Sequence, residues 1–346
     1  MELWGQHYTR RDLESYTGDL RQIADIRLST LEDGMQRGVR IADVRTGSGF
    51  DFTVLLDRAM DIGTATYSGI PLAWQSGTGA ANPARYEPAG RGWLRTFHGG
   101  LLALCGLSQA GAAADQIDPE YGDILGLHGR IGTTPAQDVS VEREWSDDGE
   151  RWTMRLRGSV DEVSVFGFRL RLERTLEFTP GEPQIMIYDR VRNMGGLPAP
   201  LMVLYHCNFG WPLVAPDSEV ISTSKKVTPR DDAANLGIET WNKLQPPTPG
   251  YAEQVFFHAV EPSETLQSIA ILNRKIGIRM DVLFDSRSLK FVTQWKQMGY
   301  GEYVVGLEPG NCLPIGRLAA RAADQLVMLA PGAVEKFTIG FRIATQ

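Results

Sequence analysis

Phe168-Arg169-Leu170-Arg171-Leu172-Glu173-Arg174-Thr175-Leu176-Glu177-Phe178 decides the fold class. Phe168, Leu170 and Leu172, then Leu176 and Phe178, fall on one side of an extended chain, with Arg169, Arg171 and Glu173 on the other. Successive side chains of a strand point to opposite faces, so this period of two predicts an antiparallel strand with one face buried. The pattern repeats outward in both directions. Trp152, Met154 and Leu156 alternate with Thr153, Arg155 and Arg157. Ile185, Ile187 and Asp189 face away from Met186, Tyr188 and Arg190. Phe50, Phe52 and Val54 alternate with Asp51 and Thr53, and Phe337, Ile339, Phe341 and Ile343 with Thr338, Gly340 and Arg342. Asp147-Asp148-Gly149-Glu150, Thr179-Pro180-Gly181-Glu182-Pro183 and Pro331-Gly332 supply turns between these runs. Helical spacing is confined to short stretches, Arg10–Tyr16, Leu101–Ser108 and Ile315–Gln325. Without a strand-then-long-helix rhythm, the expected class is all-β: large antiparallel sheets packed face to face. The Pro-rich run Gln245–Gly250 is too short for a linker, so residues 1–346 are expected to form one domain.

Composition narrows the function. The 346 residues carry 42 acidic and 35 basic side chains, a net charge of −7 that offers no basic field for a nucleic-acid backbone. Cys105, Cys207 and Cys312 are far apart, which argues against disulfides and zinc fingers. Met1-Glu2-Leu3-Trp4-Gly5-Gln6-His7 has neither a basic nor an apolar signal region, and no apolar run reaches 18 residues. A cytoplasmic protein without a membrane partner is expected; the oligomeric state is left open.

Three segments break the alternation and gather polar, aromatic and glycine residues: Arg95–Arg130, Leu204–Trp211 and Gln294–Asn311. They hold His98, His128 and His206, three of five histidines. His206 ends the apolar run Leu201–Tyr205; Glu308 ends Val304–Leu307. A carboxylate or imidazole held there is partly desolvated, costly unless paired or used. Together they suit general acid–base chemistry, one donating a proton as the other accepts. Sugar chemistry fits such a pair. Trp74, Trp211, Trp295 and Tyr303 can stack on a pyranose, and Arg58, Arg95, Arg130, Lys296 and Asn311 can hydrogen-bond hydroxyls. No dinucleotide fingerprint, Walker A run or G-x-S-x-G elbow occurs. The histidines lack close ligand spacing, so neither a metal nor another cofactor is expected.

The same segments resemble the galactose mutarotase (aldose 1-epimerase) superfamily, in particular its bacterial aldose 1-epimerase-like branch. The resemblance rests on Leu55–Ile62 with Gly69–Trp74, His98-Gly99-Gly100-Leu101 with Cys105-Gly106-Leu107, Leu127-His128-Gly129-Arg130, Tyr205–Gly210 and Leu307-Glu308-Pro309-Gly310-Asn311. It implies a β-supersandwich with a few short helices. It further implies that Glu308 is the base for the anomeric hydroxyl, His206 the acid for the ring oxygen, and His128 a substrate-binding histidine. Arg58 and Arg130 resemble substrate-binding arginines, and His98, Asn208, Trp295, Lys296 and Asn311 complete the expected binding set. Typical galactose mutarotases carry an Asn-His-Thr-type run where this chain has Tyr205-His206-Cys207-Asn208, and their hydroxyl-binding aspartate has no assigned counterpart here. The expectation is an anomer-interconverting enzyme with a small carbohydrate as its partner. The alternatives are a carbohydrate-binding protein, which would bind without turnover, and another sugar isomerase or lyase, which would exchange a ring-carbon proton or hold a metal.

Overall fold

The computed structural model describes residues 1–345. Arg169–Phe178 lies inside an eight-stranded antiparallel sheet, between Trp152–Val163 and Gln184–Asn193. Leu170, Leu172, Leu176 and Phe178 are buried, as the alternation predicts. The expected turns hold too: Asp147–Glu150 joins the pair that begins at Trp145↔Trp152, and Thr179–Pro183 precedes Gln184–Asn193. A five-stranded sheet runs from Asp25–Thr30 to Ile70–Pro71. A six-stranded sheet has the order Val227–Pro229, Gln254–Ala259, Phe291–Met298, Tyr303–Gly310, Leu204–Phe209, Ala103–Cys105. Of the expected helices, Arg10–Tyr16 and Arg317–Ala322 form.

Leu101–Ser108 is not a helix. Ala103–Cys105 is an edge strand pairing with Leu204–Phe209. The continuous apolar run reflects burial on both faces rather than one helical stripe, an ambiguity that periodicity alone leaves unresolved. Gly99, Gly100 and Gly106, all at positive φ, supply the turns at its ends.

The charged residue at the inward position of Arg169–Phe178 ties the sheets together. Arg174 is buried and donates two hydrogen bonds to its cross-strand partner Asp189, at 2.9 and 2.7 Å. Tyr205, from the six-stranded sheet, donates to the same carboxylate at 2.6 Å. Asp61, from the five-stranded sheet, lies 3.5 Å from the Arg174 guanidinium. Burial pushes the Asp61 carboxyl up to about 7 despite that cation.

The six-stranded sheet has two unlike faces. Tyr205, Cys207, Phe209, Val305 and Leu307 join the main apolar core. His206, Asn208, Gly306 and Glu308, the intervening residues, turn the other way. Trp93, Phe97, Ala103, Cys105 and Leu204 form a second apolar cluster against that outer face, with Trp74 and Trp295 beside it.

Candidate active site

Strand register brings the two candidate proton carriers together. Cys207 pairs with Leu307, so one step along each antiparallel strand places His206 across from Glu308. Nε2 of His206 lies 3.3 Å from Oε1 of Glu308. The contact lacks the alignment of a hydrogen bond, leaving that oxygen without a formal donor. Both residues are buried, at 5% and 2% exposure. Burial lowers the His206 imidazole to about 4, with the neighbouring Asn208 side chain pulling the other way. Burial pushes Glu308 well above the usual carboxylate range; the Glu253 carboxylate adds to this and Arg230 opposes it. Desolvation thus drives both groups toward their neutral forms.

Gly306 makes room for this arrangement. It pairs with Trp295, and a Cβ there would stand 2.6 Å from Glu308 Oε1 and 3.1 Å from Trp295 Cβ.

Aromatic rings enclose the pair. The Phe97 ring lies 5.3 Å from the His206 ring, Trp295 5.4 Å, His128 5.6 Å and Trp93 6.3 Å. Trp93 stacks on Phe97 at 4.2 Å, and Trp74 meets Trp295 edge-on at 6.2 Å. His128 sits at φ 56°, with Gly111 N–H donating to its Nδ1 at 3.3 Å. The neutral ring therefore carries its hydrogen on Nε2, free to donate. Desolvation, then the nearby His206, lowers His128 to about 3.

The other expected residues divide. Trp295 belongs to the aromatic wall, its indole N–H donating to Glu253 at 2.9 Å. Asn208 lies beside His206, its amide N–H groups donating to the carbonyls of Gly99, Gly100 and His206. His98 is buried nearby with both ring nitrogens unpartnered, its pKa pushed well down by burial and the Arg58 charge. Arg58 is itself buried, donating to the carbonyls of Ala81 and Thr96 at 2.9 and 2.8 Å, so it tethers two loops rather than presenting its terminal nitrogens to a ligand. Asn311 clamps Leu201 and Val203 through their backbones. Arg130 pairs with Asp123 at 3.1 Å. Lys296 follows Trp295 along its strand and so points through the opposite face, where it donates to Thr240 O at 3.1 Å. Burial lowers its ammonium to about 8. Of the remaining named groups, Trp74 lies in the wall, Trp211 is exposed, Tyr303 donates to Gln245 O, and Arg95 pairs with Glu87.

The sequence reading missed Trp93, Phe97, Glu253 and Arg230 as site residues. Trp93 and Phe97 directly precede His98-Gly99-Gly100, a signal that was available. Glu253 and Arg230 flank the ends of strands distant in sequence, and nothing local marks them. Among the described residues, no group of three or more His, Cys, Asp or Glu is placed to hold a metal ion. No described helix is long and apolar enough to cross a membrane.

This architecture has solved counterparts. A protein from Klebsiella pneumoniae subsp. pneumoniae described as a "putative aldose 1-epimerase" matches with TM-score 0.86 and 27% identity, over 93% of this chain and 83% of that one. A galactose mutarotase-like protein from Clostridium acetobutylicum matches with TM-score 0.66 and 13% identity, over 94% and 100%. Another, from Lactobacillus casei, gives 0.57 and 13%, over 88% and 100%. The chain therefore has the galactose mutarotase-like fold. It belongs to the family defined by a domain of unknown function, DUF4432, whose model matches residues 36–343. No curated protein matches it.

Proposed function

We propose that this protein is an aldose 1-epimerase-type enzyme that interconverts sugar anomers by general acid–base catalysis. The observation that carries the reading is the 3.3 Å approach of His206 Nε2 to Glu308 Oε1 inside a desolvated aromatic enclosure. The anomeric O1 and ring O5 of a pyranose share one carbon, so two proton carriers this close can serve both oxygens together. In the working state the carboxylate of Glu308 takes the O1 proton while the imidazolium of His206 gives its proton to O5. The C1–O5 bond breaks and C1 becomes an aldehyde carbon. Rotation about C1–C2 and reversal of both transfers close the other anomer, returning each proton to its origin. With both groups in their neutral forms the pair holds the one proton required, so catalysis needs only its position shifted. His128 Nε2–H supplies a neutral donor to the sugar, and the Trp93, Phe97, Trp295 and Trp74 rings supply apolar faces.

The test is anomer exchange, followed by polarimetry and exchange NMR across a panel of aldoses. At least one sugar should equilibrate faster than its buffer control. His206→Ala and Glu308→Gln should each lower kcat by roughly 10²–10⁴-fold, the usual weight of a positioned proton carrier. Unchanged exchange with every sugar, or binding without turnover, would overturn the catalytic reading.

A further inference from the structure

His258 lies away from the enclosure and has no part in the reaction proposed above. It projects from Gln254–Ala259 through the same face of the six-stranded sheet as Gln294, the face opposite Glu308. The histidine is buried, and its Nε2 lies 3.0 Å from Gln294 Oε1. The orientation of that amide is fixed, because Gln294 Nε2 donates to the carbonyl of Trp241 at 2.8 Å. The oxygen must then face the imidazole, which places the ring hydrogen on Nε2 and leaves Nδ1 as a lone-pair acceptor. Ser222 Oγ lies 3.3 Å from that Nδ1. Burial lowers the imidazole to about 4, so it is neutral and able to accept a proton at pH 7. The Trp241 ring packs edge-on against it at 5.0 Å, fixing its plane.

Ser222 also lines a cavity of about 230 Å³ between the edge of the eight-stranded sheet and the six-stranded sheet. Ile269, Phe284 and Val292 give it an apolar lining, while Thr223, Ser224 and Ser268 add hydroxyls. A hydroxyl, a base with its lone pair turned toward it, a third group orienting that base and an adjoining cavity together form a nucleophile relay.

We propose that Ser222, His258 and Gln294 form a second site, which accepts the acyl group of small carboxylic esters. Ser222 gives its proton to His258 Nδ1 as Oγ bonds to the ester carbonyl carbon. The carbon–alkoxy bond then breaks, and the departing oxygen takes that proton from His258. Water repeats the sequence on the acyl-serine, releasing the acid and restoring the Ser222 hydroxyl. At rest the Ser222 proton is held by Ser224 Oγ, 2.9 Å away, and a short swing redirects it to the imidazole.

A fluorophosphonate probe and p-nitrophenyl acetate test the site on the intact chain. The probe should add one covalent mass, located on Ser222 by peptide mass spectrometry. Ser222→Ala, which removes one oxygen from a half-buried residue, should abolish the adduct and the ester turnover. His258→Gln should slow labelling by roughly 10²-fold, the scale of general-base assistance. Ser224→Ala should still label, and His206→Ala should label at the parental rate. Absence of an adduct, an adduct on another residue, or labelling indifferent to His258→Gln in a variant that keeps its circular dichroism would overturn the proposal. Because the readout is a serine adduct, it is independent of anomer exchange.

Discussion

At the scale of single residues, the proton inventory of His206 and Glu308 sets a pH dependence. In the proposed mechanism the pair works while it holds one proton. A second adds as pH falls through the lowered imidazole value, about 4, and the first leaves only above the raised carboxyl value. In that mechanism the rate of anomer exchange should therefore show an acid limb near pH 4 and fall on the alkaline side only above the raised carboxyl value. A limb near 6.5, the value of a solvated imidazole, would show that His206 is not desolvated. The two residues were legible because each ends an apolar run, where a polar group stands out against its burial. Lys296 was assigned with Trp295, yet neighbours on a strand cannot share a face. Arg58 and Asn311 were misjudged for a different reason. Their composition suits a hydroxyl ligand, but their hydrogen bonds go to backbone carbonyls and amides that only the folded chain brings near.

At the scale of elements, the strand Tyr303–Gly310 positions Glu308 through the missing side chain of Gly306. Gly306 is not among the positive-φ glycines, so alanine is opposed by space, chiefly the Glu308 carboxylate that must move aside, rather than by backbone strain. Gly306→Ala should push the carboxylate away from His206. Displacement of a reacting group by about 1 Å can cost 10²-fold. The expected result is a kcat loss of that order, with a stability cost of about 1–3 kcal/mol for overpacking. Steady-state kinetics beside thermal melting separates the two effects; unchanged kcat would refute the steric account. Strands such as Arg169–Phe178 were readable because one face meets water. Ala103–Cys105 was not, because both of its faces are buried and the alternating signal disappears.

For the whole molecule, the Arg174 cluster is the electrostatic joint between sheets. Burying these charges is costly, but removing one partner costs more than the intact cluster. Arg174→Met should lower unfolding free energy by about 3–5 kcal/mol, because Asp189 and Asp61 would remain without their cation. Guanidinium titration at pH 7 measures this, and a change below 1 kcal/mol would refute it. Large antiparallel sheets were evident from many short alternating runs. The inter-sheet register was not, since it depends on which isolated polar residues, among them Asp61, Asp189 and Tyr205, meet inside.

Tyr205 and His206 are consecutive residues that face opposite ways: one grips the joint, while the other meets Glu308 in the aromatic enclosure. A displacement of the joint would therefore reach the imidazole through a single peptide unit. Under the proposed mechanism, variants selected solely for tolerance to heat at this seam would inherit altered turnover, even when every group in the enclosure kept its identity.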